Sequence, residues 1–282
     1  MKKEVIRQRA LELGADAVGF ARPRIFEEIR SVLEEREFLP FEQPDIERGI
    51  NPYKHYPDTK GIVSILLSHG LYNNKLSEGE YKVASSSLVD YHREVRNILR
   101  ELRLLLLGEG IQSVALCDTE GLLDKQVAVE AGLGFIGKNS LLIHPQLGSA
   151  HHIGYLLTDT FWEPDPPVDL SCGLCRKCID ACPKEAIREE GGLNHLRCLS
   201  GATQNRKAQK QYLEHFLYGC DICLRACPYN KVEKREEAFI YKEEDFLLSH
   251  REFQLQYEKK EFAWLGRNLL KRNIQWNKEE DR

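Results

Sequence analysis

CGLCRKCIDACPKEAI, residues 172–187, decides how the second half of this chain is built. Its four cysteines stand at spacings of two, two and three, with a proline after the last. That is the ligand run of a bacterial-type [4Fe–4S] cluster. Structural zinc also accepts C-x2-C pairs, but it has no use for so tight a run of four thiolates. A second run, CDICLRACPYN (220–230), repeats the pattern with only three cysteines, Cys220, Cys223 and Cys227. Cys198, in LRCLSG between the runs, brings the total to the eight thiolates that two clusters require. In two-cluster chains the cysteine before each proline crosses to the other cluster. The spacing therefore predicts Cys172, Cys175, Cys178 and Cys227 on one cluster, and Cys182, Cys198, Cys220 and Cys223 on the other. The ninth cysteine, Cys117, ends an apolar stretch and reads as a small buried residue.

The 282 residues suffice for one large domain or two modest ones. A hydrophobic content of 42% and a charged content of 30% are those of an ordinary soluble globular chain. No apolar run approaches bilayer length, and the charged N-terminus MKKEVIRQRALELG lacks a signal-peptide core. Cysteines in such a chain read as metal thiolates rather than disulfides, and a cytosolic metalloprotein with no membrane role is expected. The net charge of −4 gives no general pull toward nucleic acid, so any RNA contact must be local.

The first half mixes helix and strand. Residues 4–13 read as a helix closed by Gly14, and Ala17–Phe20 as a short strand. Gly61–Ser68 (GIVSILLS) is apolar, short and β-branched, the pattern of a buried strand. Asp90 is placed to cap a helix from Tyr91 to about Leu107, with Val95, Ile98, Leu99 and Leu102 on one face and Gly108 at its end. Strand Ser113–Cys117, helix Leu122–Ala131 and strands Ser140–His144 and His151–Leu157 follow. The proline-rich stretch EPDPPVDLS (163–171) reads as a linker.

Two motifs in this half carry less than they promise. GLGFIG (132–137) satisfies G-x-G-x-x-G, but a phosphate site needs a strand before the glycines and a helix N-terminus after them. Here a helical segment precedes and the strand-like SLLIHP follows. DYHREV (90–95) approaches a corrinoid-binding D-x-H-x-x-G pattern, but Val95 stands at the glycine. On the residues alone, Asp90 is a cap and His92 a first-turn residue.

The chain resembles the epoxyqueuosine reductases along almost its whole length. The resemblance is carried by QPDIERGINP (43–52), DYH (90–92), CDTEGLLDKQVAVEAGLGFIGKNSLLI (117–143), GSAHHIGYLLTD (148–159), both cysteine runs, RCLSGATQ (197–204), LYGCDIC (217–223) and SHREFQLQYEKKEFAWLGRNLLKRN (249–273). It implies an oxidoreductase that uses cobalamin and two [4Fe–4S] clusters on tRNA bearing epoxyqueuosine. It implies an α+β fold, with a nitroreductase-like cobalamin-binding catalytic domain over 1–165. A double-cluster ferredoxin-like domain over 166–232 and a short helical extension over 233–282 complete it. By the same resemblance Asp118 is the proton donor, where the residues alone would make it a turn aspartate. Cobalamin contacts fall on Val83, Asp118, Leu142, Ile153, Ser200 and Asp221. A flavodoxin or ferredoxin is the expected electron donor, and the chain is expected to be a monomer.

The sequence departs from the family in places. KVASSSLV (82–89) replaces an arginine and an aromatic, Gly49 an arginine, and Gly154-Tyr155 a usual Gly-Glu. The segment between Cys198 and Cys220 is short, and the chain stops soon after GRNLLKRN, where many relatives continue into a helical-repeat domain. Region 231–282 carries twelve Lys/Arg against twelve Asp/Glu, so it is no basic tail. Local basic groups stand at Arg206-Lys207-Lys210 and Arg267-Lys271-Arg272, each of which reads equally as a solvated face. Two other readings stay open on the residues: a related corrinoid iron–sulfur reductase with another substrate, and a non-catalytic electron carrier.

Overall fold

The computed structural model describes residues 1–42, 45–72, 75–87, 90–118, 121–233 and 240–278. Thr119 and Glu120 of the DTEG stretch, and Leu88 and Val89 before DYH, lie outside the described residues. The chain divides into two compact units, each assembled from more than one stretch. The first comprises Met1–Phe38, Glu42–Ser68 and His92–Leu174; the second comprises Leu39–Phe41, His69–Tyr91 and Cys175–Arg282.

The first unit is built on an antiparallel sheet ordered Ala17–Ala21, Gly61–Ser68, His151–Thr158, Ser113–Leu116. Gly61–Ser68 matches its expected bounds, and six of its residues are buried, as expected of an apolar strand covered on both faces. Because side chains alternate along a strand, His151–Thr158 feeds both sides of the sheet. Gly154 faces the helix Tyr91–Gly108, whose Val95, Ile98, Leu99, Leu102 and Leu106 are buried. A Cβ on Gly154 would lie 2.4 Å from Val95 Cγ1, so the helix approaches as closely as the missing side chain allows. Tyr155 and Leu157 point to the other face, into a core with Leu66, Val127, Ala128, Leu133 and Leu142. The helix Asp124–Glu130 supplies Val127 and Ala128 to that core.

Two expectations shift in detail. Ser140 is not in a strand: its φ of +60° places it in a turn, with its N–H on the Gly137 carbonyl at 2.9 Å. The strand shrinks to Leu142–Ile143, paired with Phe135–Ile136. The glycine motif thus contains one strand of this ribbon, and no helix begins after it. Cys117 is buried just beyond Ser113–Leu116, as expected of a structural residue.

In the second unit, strand Tyr81–Val83 lies between Phe216–Tyr218, parallel, and Ile240–Tyr241, antiparallel. Beside them an aromatic core gathers Tyr241, Phe246, Phe253, Tyr257 and Phe262. The helix Arg267–Lys278 adds Leu269, Leu270 and Ile274 and buries two asparagines completely. Asn273 Nδ2 donates to the Thr203 and Leu217 carbonyls at 2.9 and 2.7 Å, and Asn277 Oδ1 accepts from the Leu213 and His215 amides at 3.2 and 3.0 Å. These bonds satisfy backbone that no ladder reaches, which is how buried polar groups are tolerated. Among the described residues no helix is long and apolar enough to cross a membrane.

Candidate active site and cluster cradle

In the first unit the chain reverses at Gly110, φ +75°, so the strand Ser113–Leu116 runs back beside the helix that precedes it. Two residues past the strand's end, Asp118 comes to the first turn of that helix. His92 Nε2 lies 3.5 Å from Asp118 Oδ2; the His92 side chain is 16% exposed and that of Asp118 52%. A carboxylate half in solvent and half in protein can meet a ligand and exchange protons. Asp118 also has a φ of +57°, a left-handed conformation that costs a non-glycine residue about 1–2 kcal/mol. Its backbone N–H donates to Asp124 Oδ2 at 3.1 Å, and the Tyr155 hydroxyl donates to Asp124 Oδ1 at 3.1 Å. Burial, and next the charge of Asp118, push the Asp124 carboxyl up to about 7, against the bond from Tyr155. Lys125 Nζ, beside them, donates to the Ser140 carbonyl at 2.7 Å.

His92, Asp124 and Tyr155 are site neighbours that the sequence reading missed. His92 was placed correctly in a first turn, but its nearness to Asp118 comes from the reversal at Gly110. The DKQ start of a predicted helix was the available signal for Asp124, and it reads as an ordinary acidic first turn. Of the other expected contacts here, Leu142 is buried and Ile153 packs half-buried against the same core. In the turn before Leu142, Asn139 is 4% exposed, and its Nδ2 is buried with no partner among the described residues.

None of the nine cysteines is in a disulfide. Cys172 falls near the end of the first unit, and the other seven expected ligands fall in the second. There, Cys182, Cys198, Cys220 and Cys223 lie close enough to feel one another's charge, with Cys178 also beside Cys223. Burial first, and these neighbours next, push the Cys220 thiol up to about 12 and drive Cys223 upward too. Burial likewise raises Cys198. Buried thiolates need compensation, and the N–H groups of Ser200 and Gly201 at Cys198, Ile222 at Cys220 and Ala186 at Cys182 supply part of it. A cationic iron core supplies the rest, so this donor set fits a cluster. Among the described residues no three His, Cys, Asp or Glu side chains close tightly around a single metal ion. A cluster does not ask them to, because its ligands bind separate irons.

Asp221, between two of these cysteines in sequence, is 2% exposed. Its Oδ2 accepts from the Ser85 amide and hydroxyl at 3.1 and 2.7 Å, and its Oδ1 pairs with Arg225 at 2.7 Å. Val83 is buried in strand Tyr81–Val83, and Ser200 sits half-buried in the helix Leu199–Gln204. The basic groups noted in the sequence are partly committed to structure. Arg206 donates to the Leu265 carbonyl at 3.0 Å, Arg272 to those of Asn205 and Ala202 at 2.7 and 2.9 Å, and Arg267 to that of Leu248. Trp264 is 50% exposed, its indole N–H on the Tyr218 hydroxyl at 3.3 Å and Phe41 edge-on at 5.9 Å.

Residues 171–230 match the 4Fe-4S double cluster binding domain family, which sets the class: a two-cluster iron–sulfur protein. The epoxyqueuosine reductase of Lactococcus garvieae is 34% identical to the chain, over 96% of this chain and 85% of the relative. The solved epoxyqueuosine reductase of Streptococcus thermophilus superposes with a TM-score of 0.90 at 31% identity, covering 98% of this chain and 81% of that one. Another epoxyqueuosine reductase, solved with a tRNA-Tyr epoxyqueuosine-modified stem loop, gives 0.88 at 30% identity over 98% and 80%. The chain belongs to the epoxyqueuosine reductase family.

Proposed function

We propose that the chain reduces the epoxide of epoxyqueuosine in tRNA to the alkene of queuosine, with Asp118 as proton donor. The observation that carries this reading is the near full-length likeness to epoxyqueuosine reductases, one of them solved with the modified stem loop. The reaction takes two electrons and two protons and releases the epoxide oxygen as water. That oxygen leaves poorly unless it is protonated, so an acid must stand beside it. Asp118 is half-exposed, in contact with His92 and held by its backbone, which suits a group that gives a proton and regains one from solvent. His92 is positioned to stabilise the carboxylate left after transfer.

Two [4Fe–4S] clusters, when bound, would supply electrons one at a time. One is held by Cys172, Cys175, Cys178 and Cys227, the other by Cys182, Cys198, Cys220 and Cys223. The proximity of the latter four thiols supports the second set. A cobalamin, when bound, supplies a reducible centre able to attack carbon, which the clusters lack. Val83, Leu142, Ile153, Ser200 and Asp221 are its contacts by family resemblance. Asn139 joins them here, because a buried amide lacking a partner suits the amide-rimmed edge of a corrinoid. Residues 1–165 form the nitroreductase-like catalytic part, 166–232 the cluster domain, and 233–282 a helical extension. The enzyme works in the cytoplasm as a monomer, with a flavodoxin or ferredoxin as donor. Trp264 offers an exposed ring on which an unstacked tRNA base can lie.

Anaerobic reconstitution with iron, sulfide and cobalamin, followed by turnover of an epoxyqueuosine-containing stem loop, tests the reading. Turnover by the native chain and its loss in Asp118→Asn, with iron content unchanged, is expected. Native-level turnover by Asp118→Asn would remove Asp118 as the donor, and no turnover by the loaded native chain would remove the substrate assignment.

A further inference from the structure

Resting on the reading of Asp118 as proton donor, we infer that Asp124 and Tyr155 form a clamp that positions Asp118 by its backbone. Asp124 stands at the start of the helix Asp124–Glu130, and its two carboxylate oxygens take different partners. Oδ2 accepts the Asp118 N–H and Oδ1 accepts the Tyr155 hydroxyl, both at 3.1 Å. Tyr155 is fully buried in a strand paired on both sides, so the far end of the clamp is fixed to the sheet. Asp118 is left-handed at φ +57°, a conformation that persists only where its surroundings impose it. The N–H bond to Asp124 imposes it from the backbone side, while His92 meets the carboxylate at 3.5 Å. Together they favour the side-chain direction that meets His92, and such positioning is what a proton donor needs before substrate arrives.

The clamp also gives the departure at Gly154-Tyr155 a role. An ionised glutamate at 155 would repel Asp124 and could donate nothing, whereas the tyrosine hydroxyl donates to it. The charged and titratable groups around Asp124 are Asp118, Lys125 and Tyr155. Two of the three help to hold it ionised, Tyr155 by donating a hydrogen bond and Lys125 by its charge.

The chemistry of the two donors chooses the variants. The Asp118 N–H can only donate, whereas the Tyr155 hydroxyl donates or accepts, so asparagine at 124 can keep both contacts by turning its NH2 toward Tyr155, and only Asp124→Ala removes both acceptors. In the cluster-loaded enzyme, Asp124→Ala should lower kcat on the order of tenfold to a hundredfold with KM for the stem loop little changed, as expected when a reacting group is misplaced by about 1 Å. Deuterium uptake at the Asp118 amide should speed up in Asp124→Ala and stay near native in Asp124→Asn. Tyr155→Phe should move both readouts in the direction of Asp124→Ala by less. Native kcat and native amide protection in Asp124→Ala and Tyr155→Phe would overturn the clamp, and so would lost activity with protection unchanged. If Asp124→Ala does not fold, Tyr155→Phe decides. Asp118→Asn separates the two claims: turnover surviving there sinks the proton-donor reading, and the exchange measurement alone then judges the clamp.

Discussion

Gly154→Ala tests a tight packing contact of the first unit. The added Cβ would lie 2.4 Å from Val95 Cγ1 and 3.1 Å from Leu99 Cδ1. Apolar carbons rest about 3.5–4.0 Å apart, so the nearer contact is short by more than about 1 Å. Neither side yields easily. Val95 and Leu99 are fully buried, and Gly154 sits in a strand paired to Ile65 on one side and bounded by Ser113–Leu116 on the other. Overpacking of this kind costs about 1–3 kcal/mol, which is about 2–4 °C of melting temperature per kcal/mol for a chain approaching this size. Val95→Ala alone should cost about 2 kcal/mol through its lost buried methyl groups. It also removes the clashing atom, so the double variant should be less destabilised than the sum, by about 0.5–3 kcal/mol of coupling. Anaerobic urea unfolding followed by far-UV circular dichroism measures all four proteins. Additive single effects, or a native midpoint for Gly154→Ala, would show that helix and sheet do not meet here as described.

Cys198→Ala should drop iron from about eight to about four per chain, because it removes one ligand of a four-iron cluster; a full complement by metal analysis would mean another residue is the eighth ligand. Asp221→Ala strands Arg225 beside a site that is 2% exposed. Breaking such a buried pair costs about 3–5 kcal/mol in chemical unfolding, and a cost under about 1 kcal/mol would mean the pair is effectively solvated. Stability should also carry the signature of Asp124, whose carboxyl is raised from 3.8 to about 7 by burial. Between those values the folded chain keeps a proton that the unfolded chain has lost, so this group's contribution falls as pH rises through the window and is level above it. Asp124→Asn should therefore gain on the native chain from about pH 4 to about pH 7 in urea midpoint, and a constant gap would refute the shift.

Much of the frame was legible because its signals are local. GIVSILLS is a buried strand by composition and length, and the helix beginning at Tyr91 shows its apolar face and terminal glycine in the order observed. The cysteine spacing pointed to clusters without any fold. What escaped the sequence was pairing at a distance. Leu71–Tyr72 and Tyr81–Val83 are too short to announce themselves, and their partners, Val232–Glu233 and Phe216–Tyr218, lie far along the chain. The clamp was hidden for the same reason. Nothing near Asp124 says that Tyr155 will stand opposite Leu116, one step before the turn to Asp118, because sheet register decides that.

The interleaving of the two units bears on how the protein is made. Tyr81–Val83 leaves the ribosome early, yet its neighbours Phe216–Tyr218 and Ile240–Tyr241 are translated after both the sheet of the first unit and the first cysteine run. At about 5–20 residues per second, the strand waits on the order of ten seconds with bare edges. A fragment ending near residue 165 would keep that exposed edge permanently and invite aggregation. The nascent chain therefore has reason to be shielded until Phe216–Tyr218 and Ile240–Tyr241 appear, and full iron loading must wait until Cys227 has emerged.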